Sequence, residues 1–159
     1  VVQGWLEGQT KQAAEMGWQT INSFHEWVYL DYPATEDAMA DKPDWMPLLP
    51  IEKVYGFEPI PEGLNASQEA LILGGESPIW TEYVKTYDEL IRQVMPRLLA
   101  FSETLWSPKQ ARDFDDFKLR ADALSKGQAQ PATPVVKVTK SLQFEANSLD
   151  KAGQIELNR

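Results

Sequence analysis

The run VVQGWLEGQTKQAAEMGWQTINSF, residues 1–24, decides the fold. Residues 1–5 carry a β-branched pair into Gly-Trp, a pattern that suits a buried strand better than a frayed terminus. TKQAAEM, 10–16, is made of good helix formers, and Gly17 stands where a left-handed residue ends a helix. WQTINSF, 18–24, then mixes β-branched and aromatic residues as a second strand does. Strand, helix and strand at this spacing predict a βαβ crossover, and therefore a parallel sheet. Because the chain opens inside a strand, it is expected to be a piece of a longer protein.

Composition bounds what such a chain can do. Its 159 residues, 43% of them hydrophobic, are enough for one domain that buries roughly 70% of its unfolded surface. A formal net charge of −9, with no clustered Lys or Arg, opposes a nucleic-acid partner. The absence of cysteine removes disulfides and thiolate metal sites. No apolar run approaches the length of a membrane span. No cofactor, metal, nucleic acid or membrane-spanning segment is expected.

Beyond residue 32 the periodicity fades. Residues 32–65 hold Pro33, Pro43, Pro47, Pro50, Pro59 and Pro61, while Trp45, Tyr55 and Phe57 argue for a packed loop rather than a disordered one. SQEALIL, 67–73, reads as a short helix or as a helix running into a strand, and GGESPIW, 74–80, leads to a third strand ending near Trp80. Thr86 with Glu89 forms a capping box, and Leu90, Ile91, Val94, Leu98, Leu105 and Trp106 recur at helical spacing to about Ser107, with a kink or break expected at Pro96. Ser107 and Pro108 then look like the start of a last helix, which Phe114, Phe117 and Leu124 line and Gly127 stops. QAQPATP, 128–134, is a linker by composition, and the alternating residues of 135–159 suggest the truncated start of a β-rich domain.

Two short stretches carry the chemistry. SPIWTEY, 77–83, and WVYLDYP, 27–33, each set an aromatic residue two positions before a carboxylate: Trp80 with Glu82, and Tyr29 with Asp31. In an extended segment such neighbours leave the same face. A flat ring covers the apolar C–H face of a sugar while a carboxylate accepts from its hydroxyls, so the pairing suits carbohydrate. Against this stands the plainer reading that such triplets arise by chance and that a tryptophan near a strand end is core.

VVQGW, YLDY, PLLPIEKVYGFEPIP, the ILGG and IWTEY run, PRLLAFSETLWSP and DFDDF together resemble family 20 glycoside hydrolases, the β-N-acetylhexosaminidases, over most of residues 1–125. The resemblance implies an α/β fold, the C-terminal portion of a (β/α)8 TIM barrel with its last three strands and closing helices in residues 1–127, and a site at the carboxyl ends of the strands. It also implies roles. Trp5 and Trp80 would wall an aromatic box around an N-acetyl methyl group, Tyr29 would donate to the acetamide oxygen, and Asp31 and Glu82 would hold sugar hydroxyls.

In that family the substrate's acetamide is the nucleophile and the reaction retains configuration. The partners implied are an N-acetylhexosamine-terminated oligosaccharide and the N-terminal remainder of the same barrel, and export from the cytoplasm is expected from the family's habits. The family's acid/base Asp-Glu pair belongs to an earlier strand. The Asp-Glu of this chain, Asp88-Glu89, has the position of a first-turn dipole complement, so the isolated chain is expected to be inactive. Leu6 and Glu7 follow Trp5 where many relatives carry Arg-Gly. The alternative is a non-catalytic carbohydrate-binding or interaction module.

Other chemistries fit less well. His25 has no nucleophile elbow to serve, and suits a structural or substrate-rim role. Asp37, Asp41 and Asp44 lack the spaced glycine and closing glutamate of a calcium loop. Asn65-Ala66-Ser67 matches a glycosylation sequon of a kind that is frequent by chance.

Overall fold

The computed structural model describes residues 1–40 and 42–127, with side chains to residue 124. Asp41, the expected linker 128–134 and the expected β-rich segment 135–159 lie outside the described residues.

Three strands form a parallel sheet in the order β1 (Val2–Gly4), β2 (Thr20–Asn22), β3 (Ile72–Gly75). The first crossover is α1 (Gln9–Glu15), closed by Gly17 at φ 84°, as its sequence predicts. The strands are shorter than the apolar runs suggest, because pairing covers only Val2–Gly4 against Thr20–Asn22. The register of β2 against β3 slips between Thr20 and Ile21.

Gly4 explains how closely α1 lies on β1. A Cβ there would collide with Thr10, including its backbone nitrogen at 2.7 Å, so only glycine lets the start of the helix cross the end of the strand. Gly75 plays a similar part for β3, where a Cβ would stand 3.0 Å from Leu105 and 3.2 Å from Phe101.

The proline-rich stretch is packed, as its aromatic residues suggest. It contributes Met46, Leu49, the short helix α3 (Ile51–Tyr55) and Phe57 to a core shared with Val28, Leu30, Ala100, Phe101, Phe117 and Ala121. The short α4 (Ala66–Glu69) precedes β3, and Asn65, the sequon asparagine, caps it by accepting from the Ser67 and Gln68 amides.

Three helices close the described residues. α5 (Tyr87–Val94) starts on the Thr86–Glu89 capping box that the sequence marks. The expected interruption at Pro96 is a full break, with a cis Met95-Pro96 bond separating α5 from α6 (Arg97–Trp106).

Two boundaries differ from expectation. The last helix, α7 (Phe114–Gly127), begins at Phe114 and not at Pro108, since a single 3-10 turn at Lys109–Ala111 intervenes and the Asp113 side chain accepts from the Asp116 amide. The third strand is ILGG, five residues short of Trp80, because the Pro78 main chain is engaged elsewhere.

Candidate carbohydrate site

A cavity of about 660 Å³ opens beside the carboxyl ends of the three strands. Trp5, Tyr29, Asp31, Trp80 and Glu82 all line it, so the five residues singled out from the sequence converge on one site. Gln3, His25, Tyr32, Trp45, Met46 and Tyr83 complete the wall.

Each segment is brought there by a different device. Trp5 follows β1 directly and shares its face with Gln3, two residues earlier. Tyr29 ends the short helix α2 (His25–Val28) in an extended conformation, φ −79° and ψ 97°. Trp80 and Glu82 lie in the connection after β3, where the Val84 amide closes a turn onto Thr81.

The two aromatic–acid segments are tied to each other. The Leu30 amide donates to the Pro78 carbonyl at 3.0 Å, and the Ser77 hydroxyl donates to the Val28 carbonyl at 2.7 Å. Beneath them lies Arg97, 1% exposed, whose guanidinium donates to the carbonyls of Leu30, Tyr32, Leu49 and Gln93. Gln93 adds two further bonds to the Leu30 and Tyr32 carbonyls at 2.9 and 2.8 Å. Burial lowers the Arg97 pKa to about 10 against the pull of the nearby Asp31 charge, so the guanidinium stays charged at neutral pH. Four carbonyls offset a charge that would otherwise be costly to bury, although Nε has no partner among the described residues.

Asp31 is 2% exposed, and its Oδ1 has no hydrogen-bond partner among the described residues. Burial raises its pKa above the usual carboxylate range, and the Glu82 charge adds to the rise; main-chain hydrogen bonds and Lys42 oppose it. Tyr29 is raised as well, first by burial and then by the charges of Asp31 and Glu76, so its hydroxyl keeps its proton and can donate. Tyr32 is pushed up to about 12 by burial, and its hydroxyl lies 2.7 Å from Nδ1 of His25.

Aromatic rings make up most of the remaining wall. His25 packs at 6.1 Å from Trp5 and 5.9 Å from Tyr29, and Tyr32 at 6.2 Å from Trp45. Trp5, Trp45 and Trp80 are 47%, 67% and 57% exposed, more than a core role would leave them. Among the described residues no group of three or more His, Cys, Asp or Glu could hold a metal ion. The arrangement offers apolar ring faces, a protonated phenol and two carboxylates, the inventory for binding a neutral polyhydroxylated ring.

The sequence did contain a signal for Gln3, which precedes Trp5 by the strand period. Tyr32, Trp45, Met46 and Tyr83 come from aperiodic segments, and only tertiary packing brings them to the cavity.

The family description "Glycosyl hydrolase family 20, catalytic domain" matches residues 1–109. A beta-hexosaminidase of Porphyromonas gingivalis is 40% identical over 73 residues, which are 46% of this chain and 9% of that protein. Human beta-hexosaminidase subunit beta is 37% identical over 89 residues, 56% of this chain and 15% of the subunit. A mutant Streptomyces plicatus beta-hexosaminidase in complex with the product GlcNAc superposes with a TM-score of 0.66 at 27% identity, covering 80% of this chain and 27% of that one. A Vibrio harveyi exo beta-N-acetylglucosaminidase in complex with N-acetylglucosamine gives the same TM-score at 26% identity, covering 78% of this chain and 21% of that one. The chain thus spans about a quarter or less of the length of these relatives. With the family pattern running through all three cavity tryptophans, Trp5, Trp45 and Trp80, the chain belongs to glycoside hydrolase family 20.

Proposed function

We propose that this chain is the C-terminal part of the catalytic barrel of an exo-β-N-acetylhexosaminidase, and that its cavity holds the terminal N-acetylhexosamine. The observation that carries the reading is the Asp31 carboxylate, 2% exposed and with Oδ1 unpaired, in a cavity walled mostly by aromatic rings. A buried acceptor without a donor is costly unless a ligand supplies one, and a sugar hydroxyl does so. In this reading Asp31 and Glu82 accept from hydroxyls, Trp5 and Trp80 enclose the acetamide methyl, and Tyr29 donates to the acetamide oxygen.

The Tyr29 bond is the catalytic contact of this chain. In substrate-assisted hydrolysis the acetamide oxygen attacks the anomeric carbon while the glycosidic C–O bond breaks, and the leaving oxygen takes a proton from an acid. Water then opens the oxazolinium ring with net retention. Tyr29 aims the oxygen and keeps it from rotating away, a positioning effect that acts on the reacting atoms. The proton donor belongs to an Asp-Glu pair on an earlier strand of the family's barrel. The Glu89 carboxylate of this chain is occupied at a helix start, accepting from the Lys85 and Thr86 amides. The isolated chain is accordingly inactive, and the strands of the missing part of the barrel pair along the outer edges of β1 and β3. Export from the cytoplasm belongs to the same proposal and rests on the family's habits alone.

The test is hydrolysis of 4-nitrophenyl N-acetyl-β-D-glucosaminide by the product of the open reading frame that contains this chain. Turnover is expected, and Tyr29→Phe should lower kcat by about 10²-fold or more with an unchanged melting temperature. A folded protein that binds N-acetylglucosamine and never turns over would leave the binding role and reject the enzymatic one.

A further inference from the structure

Gln3 in the middle of β1, and Ser23 and Glu76 directly after β2 and β3, share one hydrogen-bond cluster. Gln3 Nε2 donates to Glu76 Oε2 at 2.5 Å and lies 3.4 Å from Ser23 Oγ, while the Ser23 hydroxyl donates to the same Glu76 oxygen at 3.2 Å. Main-chain bonds hold the frame, from the Ser23 amide to the Gly4 carbonyl at 2.8 Å and from the Glu76 amide to the Asn22 carbonyl at 3.1 Å. Ser23 is fully buried, so its hydroxyl has nowhere else to turn.

The chemistry of this cluster dictates which way the Gln3 amide faces. An ionised carboxylate only accepts, so the –NH2 end must lie toward Glu76, and the planar amide then turns Oε1 away from it. Oε1 has no partner among the described residues, and Gln3 lines the cavity on the same strand face as Trp5. The site as read above uses acceptors on Asp31 and Glu82 and a donor on Tyr29, and leaves Gln3 unused.

We propose that Gln3 is a further binding residue, whose Oε1 accepts a hydroxyl or N–H donor of the bound sugar, and that Glu76 is its positioning residue. The inference rests on the carbohydrate reading of the cavity and adds an acceptor on its β1 wall. Glu76 need not touch the ligand, since its part is to make one of the two amide orientations the stable one.

The test is a titration of the product of the open reading frame that contains this chain with N-acetylglucosamine, followed by NMR of the tryptophan indole N–H and Gln3 side-chain amide signals. Both sets should move together. Gln3→Met, which keeps the length and removes the acceptor, should weaken binding about three- to tenfold, the worth of one neutral hydrogen bond. Glu76→Ala frees the amide, and Glu76→Gln lets the pair form either way round, so each should weaken binding by a similar or smaller factor. The decisive variant is Gln3→Met with Glu76→Ala, which should bind as Gln3→Met alone does, because Glu76 acts through Gln3. If the indole signals move while the Gln3 signal stays still and Gln3→Met binds as wild type, the proposal is overturned and the sugar site stands. Losses that add in the double variant also overturn it. If no signal moves, the carbohydrate reading fails and takes this inference with it.

Discussion

The amide of Leu30 donates to the carbonyl of Pro78 at 3.0 Å, and this bond joins the two aromatic–acid segments of the cavity wall. Leu30 separates Tyr29 from Asp31, and Pro78 stands two residues before Trp80. The Leu30 carbonyl in turn accepts from Arg97 at 2.7 Å. A buried cation at the start of α6 therefore supports the loop that presents Tyr29 and Asp31, without itself lining the cavity.

Replacing Arg97 with methionine keeps most of its bulk and removes every bond to the carbonyls of Leu30, Tyr32, Leu49 and Gln93. Gln93 still donates to the Leu30 and Tyr32 carbonyls, so the Leu49 and Gln93 carbonyls are the ones that lose their donor, and at about 1–3 kcal/mol each the variant should lose at least about 2 kcal/mol. Urea unfolding checks this. A loss below about 1 kcal/mol would show that the carbonyls find other partners.

Asp31→Asn should separate stability from binding. The folded-state pKa of Asp31 is raised, so this group favours folding most below its unfolded value near 3.9, and that contribution is lost as pH rises through the folded value. Asparagine carries no charge to bury. The melting temperature of the variant relative to wild type should therefore climb with pH above about 4, while affinity for N-acetylglucosamine falls. A constant difference across pH 4–8 would contradict the buried-carboxylate account.

Gly4→Ala tests the seat of α1 on β1. The added methyl has to displace backbone atoms of Thr10, so a loss of about 1–3 kcal/mol is expected by denaturant unfolding. Gly8→Ala offers no such collision, but Gly8 has φ 76°, so its cost is conformational and about 1 kcal/mol.

Much of this was legible in the chain. The βαβ start was readable because its helix stop and β-branched runs are local signals, and the Thr86–Glu89 box marked α5 for the same reason. The two aromatic–acid pairs were found by the right spacing but on a partly wrong premise. Tyr29 follows a helix and Trp80 lies five residues past β3, so neither pair sits on a strand. They meet because Leu30 bonds Pro78 and Arg97 gathers the carbonyls beneath, contacts whose partners are 48 and 67 residues apart. No period encodes such pairings. The late start of α7 was hidden for a smaller reason: Ser-Pro is a good helix opening, and here it opens a single 3-10 turn.

The central claim is that the cavity recognises the acetamide of an N-acetylhexosamine. Three cavity tryptophans, Trp5, Trp45 and Trp80, make their fluorescence a direct reporter. Titration of the product of the open reading frame that contains this chain with N-acetylglucosamine and, in parallel, with glucose tests the claim most directly. The account predicts a saturable change with N-acetylglucosamine, a response at least about tenfold weaker with glucose, and a loss of that preference in Tyr29→Phe. Equal responses to the two sugars, or a preference that survives Tyr29→Phe, would contradict it.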